Sequence, residues 1–246
     1  MDRQESDRLA DVVMACGRIM LESGGEVYRV EETMRYICLS FPQASDPQAV
    51  ATPTSITFTF EADGHHTTRV CRIRERTIDL HKVAMVNDLS RRARNMSLGA
   101  MERMVEKIEH EPTYPRWVSV LSASLCAVGF GILFDCQPYV LVLIFLIGII
   151  GGTIITLPMN SILRTLLAVF VMTEIPIILH HFFPTLEIDW MIVSLMTELA
   201  PGLAIVDAIR DTIAGDYVAG VARGLEALLV AMVIAAGMAV AMVVHL

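Results

Sequence analysis

The chain has 246 residues, 54% of them hydrophobic, with a net charge of −8 and a mean hydropathy of +0.55. So apolar a composition excludes an ordinary soluble domain and asks for a lipid bilayer; no nucleic-acid partner is expected. The apolarity is uneven: residues 1–116 hold 16 of the 19 Lys and Arg and 18 of the 27 Asp and Glu. The expected fold is therefore an α-helical multi-pass membrane protein with an N-terminal cytoplasmic α+β domain, divided into residues 1–112 and 113–246.

The opening Met1 to Arg8 is polar and mixed in charge, which does not read as a signal peptide and places the N-terminus in the cytoplasm. From Ser6 to Glu22, Leu9, Val12, Val13, Cys16, Ile19 and Met20 recur at helical spacing, with Ser6 or Asp7 as the expected cap. Ser23-Gly24-Gly25 stops this helix. A second helix is expected over about Glu26 to Phe41, its outer face carrying Arg29, Glu31, Glu32 and Arg35.

Pro42 to Pro47 reads as a loop. The period then becomes two, with Ile56, Phe58 and Phe60 alternating with polar residues, and Ala62 to His66 turns the chain into a partner strand over Thr67 to Arg74. Two further helices are expected over about Thr77 to Arg92 and Ser97 to Glu109, the latter capped by Ser97. His65, His66 and His81 have no Cys or carboxylate at a metal-ligand spacing, so neither a metal site nor an enzyme is expected, and no cofactor. Cys16, Cys38, Cys71, Cys126 and Cys136 form no CxxC pair, are odd in number, and read as buried small hydrophobes.

From Trp117 onward five apolar segments can be drawn, about 117–134, 138–157, 161–182, 189–209 and 219–244, each near the roughly 20 residues that cross a bilayer. Arg116, Arg164, Arg210 and Arg223 all fall on one side of the resulting topology, and the opposite connections have no Lys or Arg. By the preference of basic residues for the cytoplasmic side, the N-terminus lies inside and His245-Leu246 outside. Small residues recur every fourth position at Ala123, Ala127 and Gly131, at Gly148 and Gly152, and at Ala227, Ala231, Ala235 and Ala239, the spacing at which helices approach closely in lipid.

Three acids lie within the spans: Glu174, Glu198 and Glu226. A charged acid at mid-bilayer costs about 2.5–3.5 kcal/mol on insertion scales, so Glu198 first and Glu174 second are candidates for a proton relay, while Glu226 has the spacing for an ion pair with Arg223. Just after Glu198, Pro201-Gly202 breaks the fourth segment, because Pro removes a backbone donor and clashes with the preceding turn. Broken helices beside acids are how many transporters build a binding site.

The stretch Leu199 to Asp211, followed by Gly215-Asp216-Tyr-Val-Ala-Gly220, resembles the Pro-Gly and Gly-Asp signature of the threonine/serine exporter (ThrE) family. Glu22 to Glu32, with Ser23, Gly24, Arg29 and Glu31, together with Thr68-Arg69-Val70 and His81 to Asn87, also resembles that family's N-terminal pattern. The resemblance covers nearly the whole chain. It implies a secondary exporter of small polar metabolites in the inner membrane: threonine and serine, or in split systems a dicarboxylate such as succinate. With five spans the chain is similar to the N-terminal-half subunit of the split YjjP type, which implies a smaller second membrane subunit or a homo-oligomer as partner. Asp207 stands where much of the family has Asn.

On this reading the free N–H groups after Pro201-Gly202 receive a substrate carboxylate. Glu198 carries the coupling proton, Asp207 meets a substrate amine or a second proton, and Arg210 and Arg223 draw anions to the inner mouth. Two other classes stay open, a membrane-tethered hydrolase and a scaffold or sensor that does not itself transport.

Overall fold

The computed structural model describes residues 1–245 and is mostly helical; Leu246, expected outside with His245, lies beyond the described residues. The chain forms two compact units, residues 1–113 together with 206–224, and residues 114–205 together with those from 225 onward. A single cut after residue 112 therefore does not describe the packing. Ala219 is buried in the core of the first unit, far along the chain from the rest of that core.

The first unit opens with helices α1 (Arg3–Glu22) and α2 (Val27–Cys38). Their buried stripes, Leu9, Val13, Cys16 and Met20 on one and Val27, Val30, Met34 and Ile37 on the other, join a single core. The cap of α1 is Asp2, which accepts from the Glu5 amide at 2.7 Å, so the helix starts one turn before the expected Ser6 or Asp7. At its other end the carbonyls of Glu22 and Ser23 accept from the amides of Thr77 (2.7 Å) and Asp79 (3.0 Å). That engagement keeps Thr77 out of the next helix, α3 (Leu80–Arg92), which begins behind Asp79 as cap. After the short 3₁₀ turn Ala93–Asn95 comes α4 (Leu98–Glu109); Ser97 holds its cap position without a side-chain cap bond.

Three strands, β1 (Ala44–Thr52), β2 (Ser55–Ala62) and β3 (His65–Arg72), form an antiparallel sheet in the order β1-β2-β3. The expected hairpin is present as β2 and β3, turning at Asp63 (φ 51°) and Gly64 (φ 74°), the two positive angles of a tight hairpin turn. The strand β1 replaces part of the expected loop at 42–47. Its ladder is irregular between Ser45 and Gln48, where Asp46 has φ 47° and Pro47 has no N–H to give. Ile56, Phe58, Phe60 and Ala62 of β2 face the helices and are buried. Opposite them in register, on the same face, stand Cys71, Arg69, Thr67 and His65 of β3.

The second unit is a bundle of apolar helices: α5 (Arg116–Leu133), α6 (Pro138–Ile155), α7 (Ser161–Phe182) and α8 (Ile188–Leu199). After α8 the chain continues as α9 (Gly202–Ile213) and α10 (Tyr217–Val243), and both of these contribute residues to the two units. Four helices, α5, α6, α7 and α10, are each long and apolar enough to cross a membrane; α8 and α9, bent by 48° at their break, make a fifth span if taken as one. The protein is thus a multi-pass membrane protein by length and composition.

Gly148 of α6 lies against α5, where an added Cβ would sit 3.0 Å from Ser124 Cα, so this seam is intrachain packing. The alanine series on α10 behaves differently: Ala227 is buried, but Ala231, Ala235 and Ala239 are exposed, and the inward face instead runs through Ala227, Ile234, Gly237 and Ala241. The helical period of 3.6 carries a strict every-fourth stripe around the helix. Of the five cysteines only Cys16 and Cys38 are buried, and Cys126 is exposed on α5.

Candidate functional site

Two polar clusters stand out, one in each unit. The first gathers at the start of α2. On α9, Asp207 and Asp211 are four residues apart and share a face. Arg223 of α10 reaches both: its Nη1 donates to Asp207 Oδ2 at 2.8 Å and its Nε lies 3.1 Å from Asp211 Oδ2. The third nitrogen, Nη2, donates to the Gly25 carbonyl at 2.9 Å. Arg223 is 4% exposed and Asp211 0%, so this is a buried ion cluster, stable only because each charge meets another.

Around it, Arg210 Nη1 donates to Glu26 Oε1 at 2.8 Å, and Arg29 Nη1 reaches Glu26 Oε2 at 3.3 Å. Glu26 is itself buried at the N-cap of α2. Three arginines thus face three carboxylates. The Asp211 carboxylate has no hydrogen bond to either oxygen, because the Arg223 contact is close but not aligned. Arg223 thus turns its three guanidinium nitrogens towards Asp207, Asp211 and the Gly25 carbonyl.

The turn between α9 and α10 holds the expected Gly215-Asp216 pair. Gly215 has φ 95°, and the Asp216 amide donates to the Asp211 carbonyl at 2.8 Å. Gly220 sits where α10 comes closest to α9: a Cβ there would meet the Ala208 carbonyl oxygen at 2.9 Å and collide with the Thr212 side chain. Without that glycine Arg223, one turn on, could not approach the two aspartates.

The remaining soluble-unit motif residues are placed as fasteners. Glu31 Oε1 accepts from the Ala51 amide at 2.7 Å, tying α2 to β1. Its burial pushes the carboxyl above the ordinary carboxylate range, against the lowering effect of that amide. Arg69 of β3 donates to Asp11 and Asp7 of α1, each at 2.8 Å. Gly24, at φ 89°, and Ser23 close the end of α1. The histidines His65, His66 and His81 are exposed, and among the described residues no group of three His, Cys, Asp or Glu is arranged to hold a metal ion.

The second cluster lies in the apolar unit. Glu198, in the last turn of α8, is partly buried, and its Oε2 is enclosed with no hydrogen-bond partner. Ala200-Pro201 then interrupts the helix and Gly202 begins α9. On α7, Glu174 Oε1 is 2.6 Å from His245 Nε2, while its Oε2 and the neighbouring Thr173 Oγ1 are buried without partners. Pro176 stands inside the same helix. Buried polar atoms without partners are rare in folded proteins and mark places where water, a proton or a ligand completes the shell.

A family profile described as "Putative threonine/serine exporter" (ThrE) matches residues 11–245. The chain belongs to the ThrE family. No curated protein and no solved structure matches it. The family match spans both polar clusters and both units. Sequence reasoning had found Asp207, Arg210, Asp211, Glu174 and Glu198; it missed Glu26, Gly25, Thr173, Pro176 and His245. Glu26 offered one signal, an acid at a helix start directly after Gly-Gly. The Gly25 carbonyl offered none, being a backbone group.

Proposed function

We propose that this ThrE-family chain is an inner-membrane exporter subunit that moves small carboxylate-bearing metabolites, threonine and serine or a dicarboxylate such as succinate, out of the cell in exchange for protons. The observation that carries the reading is the enclosed, unpartnered Glu198 oxygen three residues before a helix break in a chain of this family. An ionisable side chain within a membrane span marks an ion or substrate path by default, and a carboxyl group there is suited to carrying a proton.

In this account the first free amides of α9 after Pro201 bind the substrate carboxylate, and Glu198 exchanges the coupling proton. Glu174, hydrogen-bonded to His245, provides a second proton-holding group in the same unit. Arg210, more than half exposed beyond its contact with Glu26, attracts the anionic substrate. Arg223 is withdrawn from that role by its burial, and Asp207 serves Arg223 rather than a substrate amine. The N-terminus lies in the cytoplasm, the C-terminus outside, and a smaller membrane subunit of the split arrangement, or a further copy of this chain, supplies the second half.

The test is reconstitution into vesicles loaded with labelled threonine, serine or succinate, with and without a candidate second subunit. Efflux of one of these, dependent on an inward proton gradient, is the expected result. A chain that never transports but only binds the transporting subunit would be a scaffold and would sink the proposal.

A further inference from the structure

The groove between α2 and α3 has no part in export as described. Arg29, Glu32 and Thr33 stand at i, i+3 and i+4 on one face of α2, and Asn87, Ser90 and Arg91 repeat that spacing on α3. Together with Tyr36 they line a cavity of about 370 Å³, at the lower end of the range for small-molecule sites. All of these residues belong to the soluble unit.

The most buried lining groups are hydroxyls: Thr33 is 8% exposed and Ser90 6%. Ser90 is satisfied, giving its hydroxyl to the Asn87 carbonyl at 2.8 Å. Thr33 is not. Thr153, Thr165, Thr197 and Thr212 each return their hydroxyl to the carbonyl four residues back in their helices, whereas the Thr33 hydroxyl has no protein partner among the described residues. A buried polar side chain left in this way marks a place where a ligand completes the shell.

The open charges around Thr33 divide by sign between the two helices. Arg29 reaches Glu26 at 3.3 Å, and the Arg94 guanidinium lies over the Tyr36 ring, 5.5 Å from its centroid. Glu32 on α2 and Arg91 on α3 remain, and among the described residues neither side chain has a hydrogen-bond or ion-pair partner; the same holds for the Asn87 side-chain amide. A ligand of one sign would meet its like on one wall, and only a ligand carrying both signs satisfies both. The planar fork of Arg91 fits a carboxylate, and Glu32 fits an ammonium group. With Arg29 also lining the cavity, the carboxylate is the better-held end.

We propose that this groove binds a small α-amino acid with a polar side chain, its carboxylate on Arg91, its ammonium group on Glu32 and its side chain against Thr33 and Asn87. The site lies wholly within the soluble unit and does not rest on the export reading.

The test is calorimetric titration of the full-length protein in lipid nanodiscs with serine and, separately, with succinate and ethanolamine, which carry one sign of charge each. Saturable binding of serine is expected, weakened at least tenfold by Glu32→Gln and by Arg91→Gln, at least threefold by Thr33→Val, and unchanged by Glu198→Gln. Glu32 and Arg91 are exposed, so an unaltered melting temperature in their variants separates lost binding from lost folding. Absence of saturable serine binding, or succinate or ethanolamine binding as tightly as serine, would overturn the proposal. So would a single serine site that survives both Glu32→Gln and Arg91→Gln; its loss in Glu198→Gln would place that serine in the export path instead.

Discussion

Arg223 shows how much one buried side chain can decide. Its fork holds Asp207, Asp211 and the Gly25 carbonyl at once, so removing it strands two acids in a closed site. Arg223→Met should destabilise the protein by about 3–5 kcal/mol, the usual penalty for breaking a buried ion pair from one side. Adding Asp207→Asn and Asp211→Asn should restore part of the loss, as read by denaturant unfolding in detergent. A single variant as stable as the parent would show that the cluster does not hold α9 and α10 to α2.

Glu31 gives a second, quieter test. Its pKa is raised by burial in the folded state. The folded protein therefore holds this proton more tightly than the unfolded chain. The resulting stabilisation is fully present below the unfolded carboxylate value of about 4.3 and is lost as pH rises through the higher folded value. Glu31→Gln keeps an oxygen for the Ala51 amide, so its stability relative to the parent should improve as pH climbs through that window. A difference that stays flat with pH would contradict the assignment. By contrast Cys16, its thiol pushed up to about 12 by burial, should resist alkylation in the folded protein.

At the scale of elements, periodicity did most of the work. The stripe of Leu9, Val13, Cys16 and Met20 and the alternation of Ile56, Phe58 and Phe60 were plain in the sequence, and the apolar runs located α5, α6, α7 and α10 to within about two residues. What escaped was set by partners distant along the chain. The strand β1 carries Asp46-Pro47, which reads as a loop until β2 is known to pair with it. Thr77 was drawn into a helix although its amide belongs to the Glu22 carbonyl. Among the site residues, the acids and the Pro-Gly break were legible because charge and Pro are conspicuous in an apolar run. Their partners Glu26 and Gly25 were not, since no local pattern links them to residues nearly 200 positions away. Two element-level tests follow. Gly148→Val should drive α6 off α5 at Ser124, lowering stability by about 1–3 kcal/mol in the same unfolding measurement. Pro201→Ala should let the helix run on from Leu199, raising helix content slightly while reducing efflux; undiminished efflux would make the break a packing detail.

For the whole molecule, the central claim is that proton uptake at Glu198 drives outward movement of a carboxylate-bearing metabolite. The family to which the chain belongs, described as "Putative threonine/serine exporter", supports that claim. The most direct measurement is efflux from vesicles containing the protein, with and without a candidate second subunit, under an imposed inward proton gradient, comparing the parent with Glu198→Gln. The account expects gradient-driven efflux from the parent; Glu198→Gln should retain only slow exchange that no longer responds to the gradient. Gradient-driven efflux of normal rate and pH dependence from Glu198→Gln would contradict it.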